Sequence, residues 1–71
     1  MTREACVKKL LDMMDEAYAL LKQIHPEATQ LSMCATEYGA CVQGYRVAPS
    51  WEESKILDGY KSPKGDYQIN L

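Results

Sequence analysis

The stretch LKQIHPEATQLSMCAT, Leu21 to Thr36, decides the fold, because within it the spacing of apolar residues changes from helical to alternating. Upstream of Pro26, Val7, Leu10, Leu11, Met14, Ala17, Tyr18, Leu21 and Ile24 recur three and four apart and build one stripe. Cys6, Met13 and Leu20 widen that stripe, while Lys8, Asp12, Asp15, Glu16, Ala19, Lys22 and Gln23 form a wet face. Thr2 is placed to cap the first turn, and Glu4 lies where the helix dipole favours an anion. Pro26 drives its predecessor out of the helical region, so the helix must stop near His25. The spacing predicts a helix over 3–24.

Beyond Pro26 the period becomes two. Leu31, Met33 and Ala35 alternate with Gln30, Ser32, Cys34 and Thr36, the pattern of a half-buried strand. Tyr38-Gly39 offers a tight turn into a second strand, 40–47, which would set Ala35 opposite Val42 and Met33 opposite Gly44. A three-residue loop from Glu37 would shift that register. Residues 48–55 read as a connector, and Ser50 with Glu53 has the spacing of a capping box, which leaves open whether a single helical turn starts at Trp51. Ser62-Pro63-Lys64-Gly65 then supplies a fixed φ followed by a residue free to reverse the chain. That turn makes 56–61 and 66–71 the arms of a second hairpin. The expected fold is α+β, with one N-terminal amphipathic helix packed on a four-stranded antiparallel sheet made of two hairpins. Residues 1–71 form a single domain.

With 71 residues and 8.0 kDa, core-building material is scarce. A chain of this size buries only about 60% of its unfolded surface, and such domains commonly lean on a metal, a disulfide or a partner. One helix can hide one face of a sheet layer. The other face, with Tyr45 and some of Tyr60 and Tyr67, is left wet or for another copy or partner to cover, and a homo-oligomer is expected.

The net charge of −2 and a pI near 5.2 argue against generic nucleic-acid binding, since no basic run exceeds Lys8-Lys9. Two or three placed cations could still hold a small anion. No apolar run approaches a membrane span, and Lys8, Lys9 and Asp12 break any signal-peptide pattern. Cys6, Cys34 and Cys41 form no even framework, so free thiols in a reducing cytoplasm are the expectation, the host cytoplasm if the chain is phage-encoded.

Little in the sequence speaks for chemistry. His25 and a cysteine could form a nucleophile–base dyad, but no third orienting residue is recognisable. Six residues separate Cys34 from Cys41, wider than a zinc hairpin uses, so neither metal nor cofactor is expected. Glu52-Glu53 and Asp12, Asp15 and Glu16 read as solvation and capping, and no phosphate-loop glycine pattern occurs. The chain reads as no enzyme. What remains is an aromatic and cationic cluster: Tyr45, Arg46, Trp51, Lys55, Tyr60, Lys61, Lys64 and Tyr67. Its plain reading is strand-forming tyrosines and edge lysines. The alternatives are a protein–protein interface or a small-ligand pocket between subunits.

The helix followed by His25-Pro26-Glu27-Ala28 and Leu31-Ser32-Met33 resembles short phage and prophage accessory proteins of Gram-positive bacteria over the first 47 residues. The turn at Glu37-Tyr38-Gly39 and the tail from Trp51 depart from that pattern. The resemblance implies stoichiometric binding with a counter-defence use and carries no catalytic residue. The expected function is sequestration of a nucleotide-like immune signal at a homo-oligomer interface, with Tyr45, Tyr60 or Trp51 stacking and Arg46 or Lys61 meeting phosphate. The alternative is a protein-blocking inhibitor that docks its exposed sheet face on a host defence enzyme.

Overall fold

The computed structural model describes residues 2–71 and is α+β, as the alternation of periods predicts. Helix α1 spans Arg3–Ile24 and is followed by β1 (Gln30–Thr36), β2 (Gly39–Val47), β3 (Glu53–Lys61) and β4 (Tyr67–Asn70). The strands form one antiparallel meander in the order β1-β2-β3-β4. Thr2 caps α1, its side chain accepting from the Ala5 amide at 3.1 Å. The helix ends where Pro26 requires, with the His25 amide donating the last bond to Leu21 O.

Two details differ from expectation. The first turn uses Glu37-Tyr38 rather than Tyr38-Gly39, so Met33 faces Val42 and Cys34 faces Cys41. Thr36 Oγ1 accepts from the Tyr38 amide and holds this turn. The slip keeps odd-with-even pairing, so every side chain stays on its expected face. The second difference is at 48–55. There is no helical turn, and β3 already begins at Glu53. The Trp51 amide donates to Ala48 O and the Ala48 amide to Glu52 O, which closes a three-residue loop over Pro49, Ser50 and Trp51. The loop between β3 and β4 is built the same way: Gly65 donates to Ser62 O and Ser62 to Asp66 O. Each loop ends in a left-handed residue, Gly65 at φ +94° and Trp51 at φ +67°. Glycine at that position advertises the turn, and tryptophan conceals it.

The helix crosses the strands. Met14 and Tyr18 stand beside Thr29, Gln30 and Leu31 at the β1 edge, whereas Leu21 reaches Gly44 of β2 and Leu57 of β3. Leu31, Gly44 and Leu57 are successive cross-strand partners, so passing down the helix is passing across the sheet. A side chain on Gly44 would meet Leu21 Cδ1 at 2.9 Å, so the bare glycine is what admits the leucine. The linker is tied to the helix by Ala28, whose carbonyl accepts from the Tyr18 hydroxyl (3.2 Å) and the Lys22 ammonium (3.1 Å). Lys22 also donates to Pro26 O at 2.8 Å. Leu21 and Ala28 are the only buried apolar residues among those described.

Candidate functional site

Crossing leaves the helix side of the sheet only partly covered. Leu21 packs here, while Ala17, Leu20 and Ile24 face Leu31, Met33, Val42 and Leu57 across an open apolar cleft, with Leu20 62% and Ile24 59% exposed. Past them an apolar groove of about 250 Å³ continues toward β4, floored by Met33, Val42, Gly59 and Ile69 and edged by Lys61 and Tyr67. Met33 is 49% and Ile69 64% exposed, so no described residue fills it. The far face is of another character, with Gln30, Ser32, Gln43, Asp58, Gln68 and Asn70 sharing it with Tyr45 and Tyr60. The bare apolar surface therefore lies on the helix side, not on the far face where the coverage argument placed it. Register shows why: each apolar residue of β1 and β4 pairs onto the side that the helix only half shields.

The five singled-out residues divide between two ends. Tyr45, Arg46 and Trp51 lie toward the β2–β3 loop, and Tyr60 and Lys61 toward the β1–β2 turn. Tyr60 pairs with Cys41, four residues from Tyr45, a separation of about 13 Å along the strand. Tyr60 has structural duties. Its hydroxyl donates to Tyr38 O at 2.7 Å, and its ring lies where a side chain on Gly39 would stand, 2.9 Å away. Tyr45 is half-buried on the far face, its hydroxyl 3.4 Å from Gln43 Oε1. Arg46 stands near Glu27, whose carboxyl is held below its ordinary range by its own backbone amide, then by the His25 side chain, and weakly by Arg46. Trp51 is 87% exposed. Tyr60 and Lys61 both line the groove, and the Lys61 ammonium lies 5.4 Å from the centre of the Tyr67 ring directly opposite it.

No protein-family model, curated protein or solved structure matches this chain.

The histidine and the thiols are not brought together into a dyad. His25 Nδ1 lies 3.1 Å from Glu27 Oε1 at the helix end. Cys6 is nineteen residues up the helix, about 28 Å away. Cys34 and Cys41 are cross-strand neighbours on the far face, and all three thiols are free. Among the described residues no three His, Cys, Asp or Glu side chains gather as metal ligands, and no helix is long and apolar enough to cross a membrane. The groove is what the sequence reading missed. Its signal was present, in Tyr67 and Ile69 alternating with the same parity as Met33 and Val42 once strand pairing is applied.

Proposed function

We propose that this chain is a non-enzymatic, phage-type accessory protein that acts by stoichiometric binding as a homo-oligomer. In the use its resemblance implies, it sequesters a nucleotide-like signal of a host defence, taken at the boundary between copies. The observation that carries this reading is the Lys61 ammonium over the Tyr67 ring, a cation and an aromatic face together at the rim of the apolar groove. A ligand with a flat ring and an adjoining phosphate meets Tyr67 and Lys61 together, one by stacking and one by charge. Tyr45, Arg46 and Trp51, at the other end, join such a site only if another copy brings them to it. Two buried apolar residues among those described are a small core for a chain of this length, which favours the oligomer.

A protein-blocking role is the second reading, favoured by Trp51, an exposed indole on a hairpin tip and a residue type enriched among interface anchors. Thermal unfolding against cyclic dinucleotides and ADP-ribose separates the two. A ligand at about 100 times its dissociation constant adds roughly 2.7 kcal/mol to stability, and Lys61→Ala is expected to abolish that gain. Trp51 is the sole tryptophan, so its emission reports on the tip alone. A silent ligand panel with a blue-shifted indole on adding a purified host defence enzyme would transfer the function to the tip.

A further inference from the structure

Helix α1 is about 33 Å long, and four strands about 4.8 Å apart offer it only about 14 Å of sheet to cross. Met14 already stands at the β1 edge, so Arg3–Met13 overhangs it. The overhang stays apolar: Val7, Leu10 and Leu11 are 53%, 60% and 57% exposed, and Met14 beside them 48%. One copy thus carries two unpartnered apolar surfaces, a half-helix and a half-sheet. We propose that they are made for each other in a two-fold dimer, the overhang of each copy lying across the bare groove of its partner. This rests on the oligomeric reading above and names its interface.

Length and area agree. The overhang is eleven residues, about 16 Å, and the groove runs from Met33 on β1 to Ile69 on β4, about 14 Å. The accessible surface of one copy is 5859 Å², whereas a compact 8.0 kDa protein exposes about 4450 Å². The excess of about 1400 Å² per copy exceeds the roughly 800 Å² per partner of a standard interface and doubles to the range of obligate homodimers. Reciprocal contact closes on itself, leaving no free half to propagate. The Lys61–Tyr67 pair then stands at the junction of two copies.

Sedimentation equilibrium of the wild type, Leu10→Asp and Ile69→Lys, each alone and then the two variants in equal amounts, tests this. Both positions are exposed within one copy, so neither charge opposes packing of the single chain. The wild type is expected to be dimeric at micromolar concentration, and each variant to dissociate about a hundredfold more readily because it desolvates two unpaired charges. Mixing should restore dimers, since one contact is then intact and the other holds an Asp–Lys pair. A dimeric wild type whose Ile69→Lys variant also stays dimeric, or a mixture no tighter than its components, refutes this interface and leaves the oligomer standing. A monomeric wild type refutes both. Should circular dichroism show that the variants unfold, amine cross-linking of mixed unlabelled and nitrogen-15-labelled wild type decides instead. Links joining Lys8 or Lys9 to Lys61 are expected to carry both labels, and links confined to one label overturn the exchange.

Discussion

Replacing Trp51 with glycine should stabilise the protein, although it deletes the largest side chain. Trp51 is held at φ +67°, where an L-residue other than glycine brings its Cβ against the backbone at a cost of about 1–2 kcal/mol. Its side chain is 87% exposed, so little burial is lost. Glycine's greater freedom in the unfolded chain returns about 0.4–1 kcal/mol of the gain. The net is a stabilisation of about 0.5–1 kcal/mol, or about 2–8 °C in Tm for a domain of this size. The loop at 63–65 is the internal control, because it closes through the same pair of backbone hydrogen bonds with glycine already in the left-handed place. Nothing lies within 4 Å of a Cβ built on Gly65. Gly65→Ala therefore introduces backbone strain alone and should cost about 1 kcal/mol. Trp51→Ala removes the indole and keeps the strain, so it should leave Tm nearly unchanged. Thermal unfolding by circular dichroism, at one fixed chain concentration, reads all three. A fall in Tm for both Trp51 variants would show that the indole makes contacts outweighing the strain. An unchanged Gly65→Ala would show that the left-handed position carries no strain, and either result refutes the reasoning.

Gly44→Ala should destabilise by about 1–3 kcal/mol, since its Cβ would press on buried Leu21. Leu21→Ala should cost about 2–5 kcal/mol. Combined, the two should cost less than their sum, because the truncated leucine vacates the space the new methyl needs; strict additivity in denaturant titration would mean that the contact does not form. Tyr60→Phe removes the 2.7 Å bond to Tyr38 O and should lower stability by about 0.5–1.5 kcal/mol, with local amide exchange speeding up at the first turn; unaltered exchange there would contradict it. Glu27 has its carboxyl lowered from an ordinary value of 4.5 in the folded chain, so its contribution is complete above that pH and is lost as pH falls through the folded value. Glu27→Gln should thus lie below wild type in Tm at pH 7 and converge with it in acid, whereas a gap that persists at low pH would point to packing rather than charge.

What was legible in the sequence follows from the range of each determinant. Thr2, Pro26 and the stripe specify the helix because capping, steric exclusion and periodicity all act within a few residues. Pro63 and Gly65 announce their turn for the same reason. Pro49 gave half of the matching signal, but Trp51 stands where glycine would have completed it, and the adjacent Ser50 and Glu53 imitate a capping box. The first turn was misplaced by one residue because Gly39 is not in the loop: it opens β2 at φ +126°, under the Tyr60 ring. The candidate cluster failed to gather for a topological reason. Tyr45 and Tyr60 are close in sequence only through the loop between them, and an antiparallel hairpin carries residues far from its loop to the opposite end.

The crossing of the helix could not be read at all, and both the overhang and the groove descend from it. Along the strands, a helix of about 33 Å would match β2, whose nine residues span about 30 Å, and one copy could then bury most of its own stripe. Two contacts prevent that course. Leu21 inserts at Gly44, which fixes the point of crossing, and Tyr18 with Lys22 holds the Ala28 carbonyl, which fixes the exit toward β1. With both ends of that segment pinned, the overhang and the empty groove arise together, in equal lengths and with the same apolar character. Weakening the pins should therefore do more than loosen one helix. Lys22→Met, which leaves the carbonyls of Pro26 and Ala28 with fewer donors, should reduce dimer affinity although Lys22 touches no residue of the groove. A variant that is less stable yet dimerises as tightly as the wild type would separate the crossing from the assembly.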